Sequence, residues 1–250
     1  MRSGTAMRFG EETTSEGVTE RLFTVGDVPG VVWAAAGAAG PRPLVLIGHG
    51  GGAHKTAPAV TARARRYVTR LGVAVAAIDA PGWGGRQVPV SYEPFNAEIE
   101  ELTAAGKPLL DVYARRGAVI ADLAVPEWQA TIDALTALDW IGSGPLGYFG
   151  VSLGSSIGVP LVAAEPRIGA AVLGLMGHET LAAHAARITV PVQVLLQWDD
   201  VIVPRDYGLA LFDAIGSAEK TLHVNPGGHG ATPEFEIEDS ERFFARHLLA

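Results

Sequence analysis

The 250-residue chain is predicted to fold as an α/β domain, a mostly parallel eight-stranded sheet flanked by helices. Three observations predict it. Short apolar runs bounded by Gly or Pro alternate with longer segments of helical periodicity, the pattern of buried parallel strands joined by crossover helices. Hydrophobic residues make up 48% of the chain and charged residues 18%, enough apolar material for one large core. No internal repeat or low-complexity linker interrupts the sequence, so residues 1–250 read as a single domain.

The antiparallel start of the sheet is expected around Arg21–Val25 and Gly30–Ala34. The parallel strands follow at Leu44–Ile47, Val73–Ile78, Leu146–Phe149, Ala170–Leu175, Val192–Gln197 and Thr221–Val224. Helices are expected at Ala57–Leu71, Glu127–Leu138, Leu153–Ala164, Pro204–Ile215 and Pro233–Leu249. In the last, Phe235, Ile237, Phe243, Phe244 and Leu248 form an apolar stripe for docking on the sheet. Between Ala80 and Pro126 helical periodicity continues without a strand. A stretch of that length after the fourth strand is expected to be an inserted helical cap, at about residues 86–124.

The formal charge of −8 disfavours nucleic acid and anionic lipid, and no Lys or Arg run reverses it locally. There is no cysteine, so disulfides, thiolate nucleophiles and cysteine-bound metals are excluded. Met1 to Gly17 is polar and acidic, without the apolar core of a secretory signal. No apolar run approaches the roughly 18 to 20 residues of a membrane span. A cytoplasmic protein, monomer or homodimer, is expected.

Four segments carry the chemistry. Gly150-Val151-Ser152-Leu153-Gly154 joins a strand to a helix. A nucleophilic serine needs such a sharp turn to lift its hydroxyl clear, and small flanking residues to make the turn possible. With nine serines and 31 glycines, about 0.14 chance matches are expected, so the motif alone is weak and its strand–helix setting strengthens it. Gly48-His49-Gly50-Gly51-Gly52 follows an earlier strand and can present N–H groups to an oxyanion. Trp198-Asp199-Asp200 sits just past the Val192–Gln197 strand, where Asp199 and Asp200 compete to orient a histidine. His229, framed by Gly228 and Gly230 after the last strand, is placed like a proton shuttle. The other histidines, His54, His178, His184, His223 and His247, lack such framing.

Two decoys overlap the glycine run. Gly48-x-Gly50-x-x-Ala53 with Asp79 ending the next strand fits a dinucleotide fingerprint. Lys55-Thr56 suggests a phosphate loop, but His49 and His54 occupy both of its required glycine positions.

With these residues the chain resembles the α/β-hydrolase superfamily, most of all its small esterase and dienelactone-hydrolase-like members. The resemblance runs from about Val31 to Leu249 and rests on His49-Gly50-Gly51-Gly52, Gly150-x-Ser152-x-Gly154, Asp200-x-x-Val203-Pro204 and Gly228-His229-Gly230. The order Ser152, Asp200, His229 is the one this topology requires. The resemblance selects Asp200 over Asp199, because in such relatives the acid stands four residues before the proline. It implies an oxyanion hole from the N–H groups of Leu153 and Gly51, with Gly50 as a further candidate. The implied activity is hydrolysis of small-molecule carboxylic esters or lactones by Ser152, His229 and Asp200, requiring no metal or organic cofactor.

There are departures. Many relatives carry Gly-His-Gly after the fourth strand, where this chain has Pro81-Gly82-Trp83-Gly84. Many carry a large lid where Leu175 to Val192 leaves room only for a short helix around Glu179–Arg187. Any cap must then come from the earlier insertion. Trp83, Tyr92, Phe95, Met176 and Trp198 are the candidate pocket walls. Rival expectations are a peptidase or thioesterase using the same residues, a non-hydrolytic protein of this fold, and a nicotinamide-dependent oxidoreductase using the Gly48–Ala53 turn.

Overall fold

The structure is a computed structural model that describes residues 6–37 and 39–249; the first five residues of the acidic N-terminal stretch lie outside it. The strands are β1 (Met7–Ser15), β2 (Val18–Val25), β3 (Val28–Ala35), β4 (Leu44–Gly48), β5 (Ala74–Ile78), β6 (Leu146–Val151), β7 (Ile168–Gly174), β8 (Val192–Gln197) and β9 (Lys220–Asn225). The helices are α1 (Pro58–Leu71), α2 (Glu93–Ala104), α3 (Leu110–Thr136), α4 (Leu153–Ala164), α5 (Glu179–Ala185), α6 (Arg205–Ala214) and α7 (Phe235–Leu248).

One sheet carries all nine strands in the order β1-β2-β3-β5-β4-β6-β7-β8-β9. Pairing is antiparallel from β1 to β5 and parallel from β5 to β9. The expected mostly parallel sheet is present, with nine strands where eight were predicted. The additional one is β1. Apart from half-buried Met7, each of its residues is exposed. With no buried face it has no alternation of apolar and polar side chains, so the sequence signal for a strand is missing. Its backbone ladder to β2 holds it, helped by the Arg21–Glu12 ion pair and by Arg21 over the Phe9 ring. Glu16 and Gly17 turn the chain between them, both with positive φ (48° and 76°), as the tight two-residue hairpin turn requires.

The second difference is α3. Pro126 reads as a helix boundary in sequence, yet α3 runs through it for 27 residues, starting well before the expected Glu127. Proline removes one N–H and crowds the carbonyl four residues back. Here Asp122, Leu123 and Pro126 all face solvent, where water can satisfy the freed carbonyl. The inserted segment and the sheet-covering helix are therefore continuous.

Alternate side chains of the strands feed two cores. Leu44, Leu46, Tyr148, Leu173 and Val194 pack beneath α3, α4, α5 and α6, with Trp128 and Ile132 of α3 among the buried residues. Val45, Ile47, Phe149, Val172 and Leu195 face α1 and α7, where Tyr67 and Phe244 meet edge to face at 5.6 Å. Successive crossovers diverge on either side of the β4–β6 pair. Open α/β sheets place their sites outside the strand C-termini at such a switch point. Among the described residues no helix is long and apolar enough to cross a membrane.

Candidate active site

Ser152 sits between β6 and α4 with φ 57° and ψ −119°, a conformation that strains any side-chain-bearing residue. The surroundings enforce it. The Ser152 N–H donates to the Gly174 carbonyl at 2.9 Å, and its own carbonyl accepts from Ser155 N (2.9 Å) and Ser156 N (3.0 Å). Buried Ser155 ties the turn from behind: its Oγ accepts from Gly174 N–H, and its one hydroxyl proton has the Gly150 and Gly174 carbonyls within reach. The motif glycines are needed for space. A Cβ on Gly150 would stand 2.6 Å from the Gly154 carbonyl oxygen, and one on Gly154 would run into the Gly48 carbonyl.

The three loops meet. Ser152 Oγ lies 2.9 Å from His229 Nε2, and His229 Nδ1 lies 2.6 Å from Asp200 Oδ2. A carboxylate can only accept, so Nδ1 carries the proton and Nε2 is left as the acceptor facing the serine hydroxyl. The other carboxylate oxygen, Asp200 Oδ1, accepts from the N–H groups of Ile202 (2.8 Å) and Val203 (3.0 Å). Asp199 points elsewhere: its Oδ2 accepts from Gly227 N–H at 2.8 Å and fastens the histidine loop to the end of β8. The side-chain amide of buried Gln197 reaches the carbonyls of Pro226 and Gly228 in the same loop, at 3.4 and 3.5 Å.

The glycine loop is pinned by His49. Its Nε2 accepts from Ala80 N–H at 3.0 Å, so its Nδ1 donates to the Gly50 carbonyl at 2.8 Å. Ala53 N–H donates to the same carbonyl. Because the peptide is planar and trans, holding the Gly50 carbonyl on this side turns the Gly51 N–H to the other. Leu153 opens α4, where its N–H has no partner within the helix. Gly51 and Leu153 line the cavity in front of Ser152; Gly50 does not.

Burial pushes His49 below the ordinary histidine value, so it is held neutral. The unfolded chain takes up this proton near pH 6.5 and the fold resists it. His49 therefore stabilises the fold fully above that pH, and its contribution is lost as the pH falls through the lowered value. Urea unfolding at pH 7.5 and 5.5 is expected to show a larger acid loss for wild type than for His49→Gln. Equal losses would remove His49 as the cause.

Asp79 and Lys55 resolve the dinucleotide decoy. The Asp79 side chain is fully buried and accepts from both Lys55 N–H and Lys55 Nζ at 2.8 Å. That carboxylate is committed to the loop itself and is closed to a ribose.

The cavity in front of Ser152 has a volume of about 500 Å³. Ser152, His229, Gly51, Gly52 and Leu153 line it, and so do Trp83, Tyr92 and Met176. Burial pushes the Tyr92 hydroxyl up to about 12, and it donates to the Pro81 carbonyl, so Tyr92 is a neutral wall. Two candidates lie outside. Trp198 is 46% exposed, with the Arg205 guanidinium over its ring at 4.4 Å. Phe95 lies on α2 beneath Arg115. Sequence reasoning missed Asn96 of α2 and Leu110, Tyr113, Arg116 and Ile120 of α3, which also line the cavity. Their spacing along α3 was the available signal.

Among the described residues, one trio could approach a metal: His223, Glu236 and Asp239, with ligand atoms within 4.8 Å. It is not part of the Ser152 cavity, and buried Glu236 already accepts from His223 Nδ1 and Asn225 Nδ2.

No protein-family model matches the chain, and no curated protein matches it. Solved structures do. The chain is 35% identical to a cold-adapted esterase from an Arctic intertidal metagenomic library, solved as a complex with PEG, at a TM-score of 0.77. That likeness covers 96% of this chain and 98% of the other. An acetyl xylan esterase from Paenibacillus sp. R4 matches at 14% identity and TM-score 0.68, over 97% of this chain and 88% of that one. A dienelactone hydrolase from Anabaena variabilis ATCC 29413 matches at 16% and 0.62, over 97% and 99%. The last two are alike in fold. Full-length likeness to the esterase, on a sheet that brings hydroxyl, imidazole and carboxylate together at its C-terminal edge, identifies the chain as a carboxylic ester hydrolase belonging to the α/β-hydrolase superfamily.

Proposed function

We propose that the protein hydrolyses small carboxylic esters or lactones through an acyl-enzyme on Ser152. The observation that carries this reading is the unbroken line Asp200–His229–Ser152, at 2.6 and 2.9 Å, opening on a walled cavity. His229 Nε2 takes the hydroxyl proton as Ser152 Oγ attacks the ester carbonyl. Asp200 keeps the imidazole in the required tautomer and stabilises the imidazolium that forms. The N–H groups of Leu153 and Gly51 receive the developing oxyanion, with the N-terminal end of α4 adding favourable potential. The alcohol leaves with the proton from His229; water, deprotonated by the same nitrogen, then releases the acid.

The insertion between β5 and β6 serves as the cap. Asn96 of α2 and the first half of α3 wall the cavity opposite the loops, so the acyl or alcohol group is gripped by a helix continuous with the core.

A fluorophosphonate reports on the nucleophile directly. One adduct per chain is expected, carried by the peptide containing Ser152 and absent from Ser152→Ala. Labelling at another serine, or none in active protein, would refute the assignment.

A further inference from the structure

Arg116 is a half-buried cation in the same cavity as Ser152, and no carboxylate lines that cavity. Among the described residues it forms no ion pair, although its neighbour Arg115 pairs with Glu98 at 2.6 Å. Its single side-chain hydrogen bond goes to a neutral group, Asn96 Oδ1, at 3.0 Å. Its guanidinium carbon lies 5.7 Å from the Trp83 ring centroid and 5.5 Å from that of Tyr113. Burial lowers its pKa, yet an arginine in a protein stays charged. A cation half withdrawn from water without an anion is left poorly compensated by two ring faces and one amide.

The neighbours add donors. A guanidinium only donates, so Asn96 must turn its oxygen to Arg116, which leaves its amide N–H groups without a partner among the described residues. Asn96 and Tyr113 also line the cavity. Positive charge and spare donors therefore converge in a cavity whose other walls are largely apolar, in a chain of net charge −8.

We propose that Arg116, with Asn96, recognises a carboxylate on the non-reacting part of the substrate, making the preferred substrate a monoanionic ester. A planar guanidinium fork matches a carboxylate in two parallel hydrogen bonds. One guanidinium balances one negative charge; a dianionic phosphate would leave charge uncompensated against the Trp83 and Tyr113 rings. The assignment rests on the Ser152 reading for the reaction itself and adds the substrate class to it.

The test compares kcat/KM within two substrate pairs, so that a general loss of activity cancels. For a carboxylate on the acyl side the pair is p-nitrophenyl hydrogen adipate and p-nitrophenyl heptanoate. For the alcohol side it is p-acetoxybenzoate and p-acetoxybenzamide. Relative to wild type, Arg116→Gln is expected to lower the anionic-to-neutral ratio about tenfold or more in at least one pair, and Arg116→Lys to lower it less. A smaller fall in both pairs overturns the assignment. Should Arg116→Gln not fold, wild type alone decides. Adipate monoamide is expected to inhibit hydrolysis of p-nitrophenyl acetate about tenfold more strongly than hexanamide; weaker discrimination overturns it. The neutral esters test the underlying reading separately, since equal turnover by Ser152→Ala would defeat the serine mechanism whatever the ratios.

Discussion

Ser152→Ala is expected to lower kcat for p-nitrophenyl butyrate by about a million-fold, the scale on which removing the nucleophile of such a triad acts. The substitution is chosen to be chemical and not structural. Alanine keeps the Cβ, and the bonds that hold the turn, to Gly174, Ser155 and Ser156, all run through the backbone of residue 152. The strained φ of 57° is unchanged, so whatever it costs is still paid. Only the hydroxyl goes, and with it the 2.9 Å contact to His229 Nε2. About a thousand-fold acceleration over the uncatalysed rate should survive, from the N–H groups of Leu153 and Gly51 and from substrate binding. The measurement is a progress curve at high enzyme concentration against a buffer control, with circular dichroism showing the variant folded. A folded variant retaining about a hundredth of wild-type activity or more would mean that another group attacks the ester.

Much of the fold was legible because its strands are buried on both faces. β8 was placed to the residue and β4 to within one, since short, largely apolar runs that start directly after a proline (Pro191 and Pro43) suit little else. The failures have the opposite cause. β1 is held by backbone hydrogen bonds and surface contacts, which leave little trace in composition. Pro126 breaks isolated helices, but α3 is long and packed through Ile120, Ala124, Trp128 and Ile132, and tertiary burial outweighs one lost hydrogen bond.

The site divides in the same way. Gly150 and Gly154 beside Ser152, and Gly48 beside His49, are demanded by close approach of neighbouring atoms, and such demands are written locally; Gly228 and Gly230 beside His229 meet no such crowding. The cavity wall is a matter of which helix faces which loop. Arg116 shares a face with Tyr113 and Ile120 by spacing, yet nothing local says that this face looks toward Ser152. Trp198 was misplaced for a related reason: it adjoins the Asp199–Asp200 loop in sequence, but its ring lies on the surface under Arg205.

Asp200→Asn is expected to cost about ten-thousand-fold in kcat with the loop left intact. Asparagine can keep its carbonyl oxygen where Asp200 Oδ1 now accepts from Ile202 and Val203, but its amide then faces His229 Nδ1. Two donors cannot share that 2.6 Å contact, so the imidazole shifts its proton to Nε2 and points a donor at Ser152, where it can no longer act as base. Turning the amide over would restore an acceptor to His229 only by leaving two backbone N–H groups without theirs, a loss of about 1–3 kcal/mol for each group. Asp199→Asn is the matched control, because an amide oxygen can still accept from Gly227 N–H, and it is expected to change kcat only a few-fold. Parallel steady-state kinetics on the two variants separate the roles. Equal losses, or a loss at Asp200 of less than about tenfold, would show that tautomer control by this carboxylate is not what sets the rate.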